Sequence, residues 1–206
     1  MRQAKLLSAS VLLVGVALLG WATNRGLTHG LDLQLADWLA LRRSISSDWL
    51  IGAMQAISWT GGGPQRTLIV VLIAAALWRW RGGASGLAMA LTSLTSNWAS
   101  NLLKLYFARP RPHLVPHLDD VGTSLSYPSG HATSAAVVYL LLAMVLPPQR
   151  RTLWLALAAT LALLTGLSRM MLGVHFASDI VGGWMLGTAF ALVGVEAAQR
   201  WSTTKP

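Results

Sequence analysis

Long apolar segments are the strongest constraint on this chain, because they restrict it to folds that lipid can surround. Six of them approach the about 20 apolar residues that a helix needs to cross a bilayer. They cover residues 6–22, 67–80, 84–105, 130–146, 153–167 and 176–198. Only 11% of the residues are charged, against about 25% in soluble domains. The sequence therefore predicts an all-α fold, an integral membrane bundle of six transmembrane helices.

Two N-terminal regions need a separate interpretation. Arg2 and Lys5, followed by an apolar run and small residues, resemble a cleavable signal peptide. The apolar run is at the long end for such a signal, so we favour a retained first helix. The stretch 33–59 is only intermittently apolar, and it predicts short extracytoplasmic helices at the membrane interface, one of them capped by Asp48.

Arginine pairs predict the orientation of the bundle. Six spans place both termini on one side, and the short connections on that side carry Arg79 with Arg81 and Arg150 with Arg151. Basic residues in short loops mark the cytoplasmic side, so we expect cytoplasmic termini. The net charge of +9 follows from these signals and from the cations described below, since no basic run interleaved with aromatic residues indicates a nucleic-acid partner. The absence of cysteine excludes a thiolate nucleophile and disulfide bonds.

Three polar clusters interrupt the apolar pattern, and the predicted topology places all of them at the extracytoplasmic ends of helices. Charged groups near lipid are costly, so they indicate a functional site. The clusters are Lys104 with Arg111 and Pro112, then Pro128-Ser129-Gly130-His131, then Ser168-Arg169 with His175 and Asp179.

Two of these clusters have features of an anion site. Ser129 and Gly130 lie where a loop enters a helix, and the free amides of a helix N-terminus bind oxyanions; an ordinary N-cap is an equally good interpretation. Pro110 and Pro112 keep the residues before them extended, which would let Arg111 turn back towards Lys104. Alternatively, these two cations extend to lipid headgroups.

The third cluster indicates nucleophilic catalysis. His175 and Asp179 are four residues apart, and they share one helical face if the last helix starts by Val174. A carboxylate that orients one imidazole nitrogen makes the other a better nucleophile; a purely structural pair is the alternative. His131 could then protonate a leaving alkoxide and later activate water.

The remaining charges would act on a phosphate. Lys104, Arg111 and Arg169 can stabilise charge that develops on phosphate oxygens. No acidic cluster is suited to magnesium, and we interpret the adjacent Asp119 and Asp120 as part of a solvated loop. We therefore predict a site without metal or cofactor.

Taken together, the clusters resemble the signature of the type 2 phosphatidic acid phosphatase superfamily: Lys-x6-Arg-Pro, Pro-Ser-Gly-His and Ser-Arg-x5-His-x3-Asp. The resemblance implies a metal-independent phosphatase that forms a phosphohistidine, in one membrane domain over residues 1–206 with a motif core at 104–179. It implies that His175 is the nucleophile, Asp179 its orienting partner and His131 the general acid. It also implies that phosphate is bound by Lys104, Arg111, Ser129, Gly130 and Arg169. Arg109 lies outside the pattern, and we assign it no catalytic role.

The resemblance further implies a bacterial cytoplasmic-membrane enzyme with its site on the periplasmic or extracellular face. Its expected partners are the bilayer and a lipid substrate: phosphatidylglycerol phosphate, phosphatidate, diacylglycerol pyrophosphate or undecaprenyl pyrophosphate. The apolar spans argue against the soluble haloperoxidases of the same superfamily. A lipid phosphotransferase with the same phosphohistidine is the alternative. A transporter would place charges deep within the spans, whereas here they cluster at one face.

Three secondary features complete the predictions. A polar stripe at Ser93, Asn97, Ser100 and Lys104 predicts hydrogen bonds between helices, with the lining of a cavity as a lesser possibility. Gly183 and Gly187 predict close helix packing. The long irregular segment 107–127, together with residues 33–59, would shape a lateral portal for lipid headgroups.

Overall fold

The computed structural model describes residues 2–122 and 124–203, and these residues form helices and connecting loops without a strand. The helices are α1 (Arg2–Asn24), α2 (His29–Leu39), α3 (Asp48–Trp59), α4 (Gly63–Arg81), α5 (Gly83–Phe107), α6 (Gly130–Val145), α7 (Arg151–Met171) and α8 (Ala177–Thr203). A 3-10 turn at Pro148–Arg150 leads into α7. The predicted all-α fold is confirmed.

The described helices support a membrane protein, although they differ in how clearly they qualify as spans. Three are long and apolar enough to cross a bilayer: Arg2–Asn24, Pro148–Met171 and Ala177–Trp201. α3 and α4 qualify only as a pair, bent by 53° at the break between them. α6 is apolar but short, with 16 residues. α5 has 25 residues, and its run of serine, threonine and asparagine lowers its hydropathy.

The short helix α6 lies at the centre of the bundle, packed against α5, α7 and α8. Gly183 and Gly187 of α8 make the closest approach possible: a Cβ on Gly187 would lie 2.4 Å from the carbonyl oxygen of Thr133. A Cβ on Gly183 would lie 2.6 Å from the carbonyl oxygen of Ser129. The predicted packing role of these glycines is confirmed, and it brings the start of α6 against the start of α8.

The first helix is part of the packed structure. α1 lies along α8, and the Tyr127 hydroxyl donates a 2.6 Å hydrogen bond to the carbonyl oxygen of Val16. Val16, Phe107, Tyr127 and Leu186 form one buried apolar cluster. The other side of α1 exposes leucine and valine side chains, as expected of a surface in contact with lipid.

Two short helices, α2 and α3, occupy most of the stretch that was predicted to be interfacial, and both contact α7. The predicted cap is displaced by one residue: Ser47 is the N-cap and Asp48 is the first residue of α3. The Asp48 carboxylate still complements the helix dipole from this position.

The segment between α5 and α6 is irregular in its described part, as predicted, but hydrogen bonds attach it to the rest of the structure. The Leu118 amide donates to the carbonyl oxygen of Leu172 at 3.0 Å, and the Ser126 amide donates to that of Arg109 at 2.8 Å. Gln55 of α3 donates to the carbonyl oxygen of Leu118 at 2.7 Å. The segment therefore crosses the ends of the helices at fixed positions.

Replacing Gly187 by leucine should destabilise the bundle, because the new side chain would meet the backbone of α6. Overpacking of this kind costs about 1–3 kcal/mol, so the unfolding temperature in detergent should fall. Gly52 in α3 is the matched control, since a Cβ there meets nothing within 4 Å. Gly52→Ala should leave the unfolding temperature unchanged or raise it. Equal unfolding temperatures for Gly187→Leu and the wild type would contradict the close approach of α6 and α8.

Candidate active site

One cavity of about 270 Å³ brings the three polar clusters together where α4 and α6 begin and α5 and α7 end. Six of the predicted site residues line it: Lys104, Arg111, Gly130, His131, Arg169 and His175. The two others, Ser129 and Asp179, are fully buried. Ser129 donates its amide to the carbonyl oxygen of Asp179 at 3.0 Å, which joins the second cluster to the third.

The predicted contact between His175 and Asp179 is present, but not for the predicted reason. α8 begins at Ala177, so His175 precedes the helix and the pair does not share a helical face. Instead, Asp179 Oδ2 turns back over the helix start, accepts from the Phe176 amide at 2.9 Å and lies 3.3 Å from His175 Nδ1. Ser126 Oγ donates to the same carboxylate oxygen at 2.5 Å.

The surroundings of His175 determine its tautomer. Arg111 Nη1 lies 3.0 Å from His175 Nε2, and a guanidinium can only donate. Nε2 must therefore accept, which leaves the proton on Nδ1 facing Asp179. Burial, followed by the nearby cations Arg111 and Lys104, lowers the pKa of His175 well below its ordinary value. His175 is thus a neutral imidazole with its Nε2 lone pair on the side of Arg111.

A buried ion network behind Asp179 was missed from the sequence. Arg109 donates to Asp179 Oδ1 at 2.6 Å and to Asp32 Oδ2 of α2 at 2.8 Å. Ser178 donates its amide and its hydroxyl to the Asp32 carboxylate, at 3.0 and 2.6 Å. Arg109 and Asp32 are 7% and 1% exposed, so each depends on the other for charge balance. The only sequence signal was the second Arg-Pro pair, Arg109-Pro110.

The three cations of the sequence clusters, here called the motif cations, form hydrogen bonds with protein acceptors; they are Lys104, Arg111 and Arg169. Lys104 donates to the carbonyl oxygens of Leu125 and Ser126. Arg111 donates to the Ser124 carbonyl at 2.8 Å and, through Nη1, to the Val174 carbonyl. Burial and the charge of Arg169 lower the pKa of Arg111 to about 10, so this guanidinium is charged at neutral pH.

Arg169 is bound differently from the other two cations. Its Nη1 donates to the Asp119 carboxylate and to the Ser58 hydroxyl. Asp119 lies in a loop with its side chain 32% exposed, as predicted, but the prediction missed its ion pair with a guanidinium that is 1% exposed. Asp120, its neighbour, lies on the rim of the cavity and accepts from the Gly122 amide at 2.9 Å.

The start of α6 presents His131 and two backbone amides. Ser129 is the N-cap, and its Oγ accepts from the Ala132 amide at 3.4 Å, so the ordinary capping role is present. This leaves the amides of Gly130 and His131 at the positive end of the helix, where they can bind an anion. The imidazole of His131 rests on the turn after α3: a Cβ on Gly62 would lie 2.2 Å from His131 Nε2.

Part of the polar stripe on α5 lines the cavity, and among the described residues no hydrogen bond joins its side chains to a neighbouring helix. Asn97 and Lys104 face the cavity, together with Asn101, which the prediction omitted. Ser93 contacts Met89 of its own helix, and the buried Ser100 Oγ has no partner among the described residues. The lesser interpretation of the stripe is therefore correct for Asn97 and Lys104.

The geometry is that of an anion site with a polarised histidine, and comparison with known proteins identifies its family. The PAP2 superfamily model matches residues 84–202, more than half of the chain. The chain belongs to the PAP2 superfamily. The predicted membership is confirmed, and with it the predicted enzyme class, a membrane phosphatase.

Individual relatives agree with this assignment. Phosphatidylglycerophosphatase B of Bacillus subtilis is 33% identical over 149 residues, which are 69% of this chain and 72% of the relative. Undecaprenyl-diphosphatase of Sulfolobus acidocaldarius is 31% identical over 91 residues, which are 44% of this chain and 37% of the relative. The crystal structure of a transmembrane PAP2-type phosphatidylglycerolphosphate phosphatase from Bacillus subtilis superposes with a TM-score of 0.82, at 27% identity, over 96% of this chain and 98% of that one.

Replacing Arg109 by glutamine should destabilise this PAP2 protein, because Asp32 and Asp179 would remain buried without their cation. Removal of one partner from a buried ion pair costs about 3–5 kcal/mol, measured as a lower free energy of unfolding. Arg43 is the matched control, since it is exposed; Arg43→Gln should change stability by less than about 0.5 kcal/mol. Equal losses in the two variants would contradict the role of the buried network.

The neutral state of buried His175 should make stability depend on pH. The unfolded chain binds a proton at this imidazole below about pH 6.5, whereas the lowered pKa keeps the folded site unprotonated. The unfolded state then binds more protons, so the free energy of unfolding decreases as the pH falls from about 6.5. In His175→Gln this decrease should be smaller, by up to about 1.4 kcal/mol per pH unit. Identical pH dependence in both proteins would contradict the burial of a neutral imidazole.

Proposed function

We propose that this chain is a bacterial membrane lipid phosphatase that removes a terminal phosphate through a phosphohistidine. The observation that carries the proposal is the cavity itself. It combines His175, oriented by Asp179, with three motif cations, the second histidine and the start of α6. As substrate we propose phosphatidylglycerol phosphate or a lipid pyrophosphate, the classes named for the relatives from Bacillus subtilis and Sulfolobus acidocaldarius.

In the first step, His175 Nε2 attacks phosphorus and the bond from phosphorus to the leaving oxygen breaks. His131 donates its proton to that oxygen, so the lipid leaves as a neutral hydroxyl or as a protonated lipid phosphate. Asp179 accepts the hydrogen bond from Nδ1 throughout and stabilises the positive charge that develops on the imidazole. Arg111 must move from Nε2 to a phosphate oxygen, because its N–H occupies the Nε2 lone pair that forms the bond to phosphorus.

In the second step, water attacks the phosphohistidine and the phosphorus–nitrogen bond breaks. His131, now without its proton, accepts one from the water, and inorganic phosphate leaves with both histidines restored. Lys104, Arg111 and Arg169 would stabilise charge on the three non-bridging oxygens in both steps. The free amides of Gly130 and His131, with Ser129 beside them, would complete the phosphate site. These residues need no metal for the proposed steps.

We further propose that α1 and α4 to α8 are the six spans of one domain, with the cavity on the outer face. The packing of α1 against α8 supports a retained first helix. The N-terminal end of α1 lies beside the C-terminal end of α8, since Lys5 contacts both Glu196 and Gln199. Arg81 ends α4 and Arg151 begins α7 at the end of the bundle opposite the cavity, which supports cytoplasmic termini in the inner membrane.

The lateral portal also stays part of the proposal. Ser124, Val121 and Asp120 of the segment after α5 line one side of the cavity, and the glycine turn Gly61–Gly63 after α3 lines another. A lipid headgroup that entered between these segments from the membrane plane would reach His131 and His175 without its tails leaving the bilayer.

The proposal can be tested by phosphate release from phosphatidylglycerol phosphate in detergent micelles, with and without a chelator. We expect equal rates in both conditions. His175→Ala should lower the rate by about a thousandfold or more, since the nucleophile is lost. His29, an exposed histidine of α2, is the matched control, and His29→Ala should retain the wild-type rate.

The contradicting outcomes are distinct. A rate that depends on added magnesium would overturn the metal-free mechanism. Full activity of His175→Ala would overturn the assignment of the nucleophile. Transfer of phosphate to an added lipid alcohol, with no inorganic phosphate formed, would favour a phosphotransferase.

A further inference from the structure

A fourth cation lies in the cavity and belongs to none of the three clusters. Arg66, in the first turns of α4, lines the same space as the motif cations and both histidines. No sequence motif singles it out, and the proposed mechanism gives it no role. Its position follows from the glycine turn Gly61–Gly63, which brings the start of α4 against the start of α6.

Arg66 differs from the other cations of the cavity in having no acceptor for its guanidinium among residues 2–122 and 124–203. Lys104 is held by backbone carbonyl groups, Arg111 by Ser124 and Val174, and Arg169 by Asp119. In the part of the chain that the structure describes, no residue accepts a hydrogen bond from the Arg66 guanidinium or pairs with its charge. Only its backbone amide is used, in a bond to the carbonyl oxygen of Gly62. Its donors are therefore free for a ligand.

The location of Arg66 indicates which part of the substrate it meets. Its charge acts on His131, as do those of Arg169 and Arg111, but Arg66 is not among the cations that act on His175. The turn that precedes Arg66 lies directly against the His131 imidazole. In an in-line displacement, the nucleophile and the leaving group are on opposite sides of phosphorus. Because His131 faces the leaving oxygen, Arg66 is on the leaving-group side.

Two amide side chains line the same cavity. Asn97 and Asn101 lie one turn apart on α5, which packs along α4, and both line the cavity with Arg66. An amide nitrogen can donate two hydrogen bonds to phosphate oxygens, and a guanidinium binds phosphate through paired donors. A leaving group that carries its own phosphate would present an anion to these three side chains, whereas diacylglycerol would not.

We propose that Arg66, Asn97 and Asn101 form a subsite for a second phosphate on the leaving group. The subsite rests on the proposed phosphatase function, and it favours phosphatidylglycerol phosphate and lipid pyrophosphates over phosphatidate. When phosphatidylglycerol phosphate is the substrate, the phosphodiester of the departing phosphatidylglycerol occupies the subsite. When a lipid pyrophosphate is the substrate, the departing lipid monophosphate occupies it, and Arg66 stabilises the negative charge that develops there as the anhydride bond breaks and His131 transfers its proton.

The test compares substrates with one and two phosphates but the same acyl chains. The full-length protein is assayed in mixed micelles on dioctanoyl phosphatidylglycerol phosphate, dioctanoylglycerol pyrophosphate and dioctanoyl phosphatidate. In Arg66→Gln, kcat/KM should fall about ten- to hundredfold on the first two, as for the loss of a charge-assisted hydrogen bond. On phosphatidate, kcat/KM should change by less than about twofold, because this substrate has no second phosphate and no such bond is lost. Arg66→Lys should recover part of the loss, because it keeps the charge without the paired donors.

Two control variants bracket this result. Arg79→Gln changes an exposed arginine at the other end of α4, and it should leave all three substrates unaffected. Arg169→Gln removes a proposed ligand of the phosphate that is transferred, and it should impair all three alike. A decrease in Arg66→Gln that is equal on all substrates, or absent on all, would overturn the subsite.

A binding measurement separates this inference from the proposed function. Methylenebisphosphonate carries two linked phosphonates and orthophosphate carries one, and calorimetry can compare their binding without turnover. Arg66→Gln should weaken the bisphosphonate by about tenfold or more and leave orthophosphate unchanged. If the wild type hydrolyses none of the lipids, the proposed function fails, while this comparison still decides the subsite. Equal binding of bisphosphonate by both proteins would overturn it.

Discussion

The Asp179 carboxylate is the interaction on which the rest of the site depends. It is fully buried at the start of α8, and it accepts hydrogen bonds from Arg109, Ser126 and the Phe176 amide while facing His175. A buried carboxylate without such donors would be costly. Because both of its oxygens accept hydrogen bonds, the carboxylate is held in one orientation. It in turn holds the imidazole of His175 in one orientation.

The packing of α6 against α8 determines where the proposed phosphate site lies relative to His175. Gly187 allows the two helices to approach to backbone contact, and the amide of Ser129 is bound to the carbonyl oxygen of Asp179. The start of α6, which is the proposed anion site, and His175, the proposed nucleophile, are thereby fixed to one another through the backbone. A catalytic geometry built in this way depends little on the flexible side chains of the membrane surface.

Local signals predicted the helices and the cavity lining, whereas distant pairings escaped prediction. The apolar span at 84–105 became α5, because a span is recognisable from its own residues. Arg109 meets Asp32 across 77 positions of sequence, and Asp119 meets Arg169 across 50. Neither pair has a local pattern, so only the folded chain reveals them. Arg66 was missed for the same reason, since its turn reaches His131 only in three dimensions.

The acceptors that hold the motif cations also explain how a substrate can enter a site so rich in charge. Arg169 is neutralised by Asp119, and Arg111 is held by Ser124. Both acceptors belong to the segment that is fastened at Leu118 and at Ser126. A phosphate with two negative charges exceeds a carboxylate in charge and in number of acceptors, so in the proposed mechanism it would replace Asp119 as the partner of Arg169. In the proposed mechanism, binding is then an exchange of Asp119 and Ser124 for phosphate oxygens as the acceptors of Arg169 and Arg111.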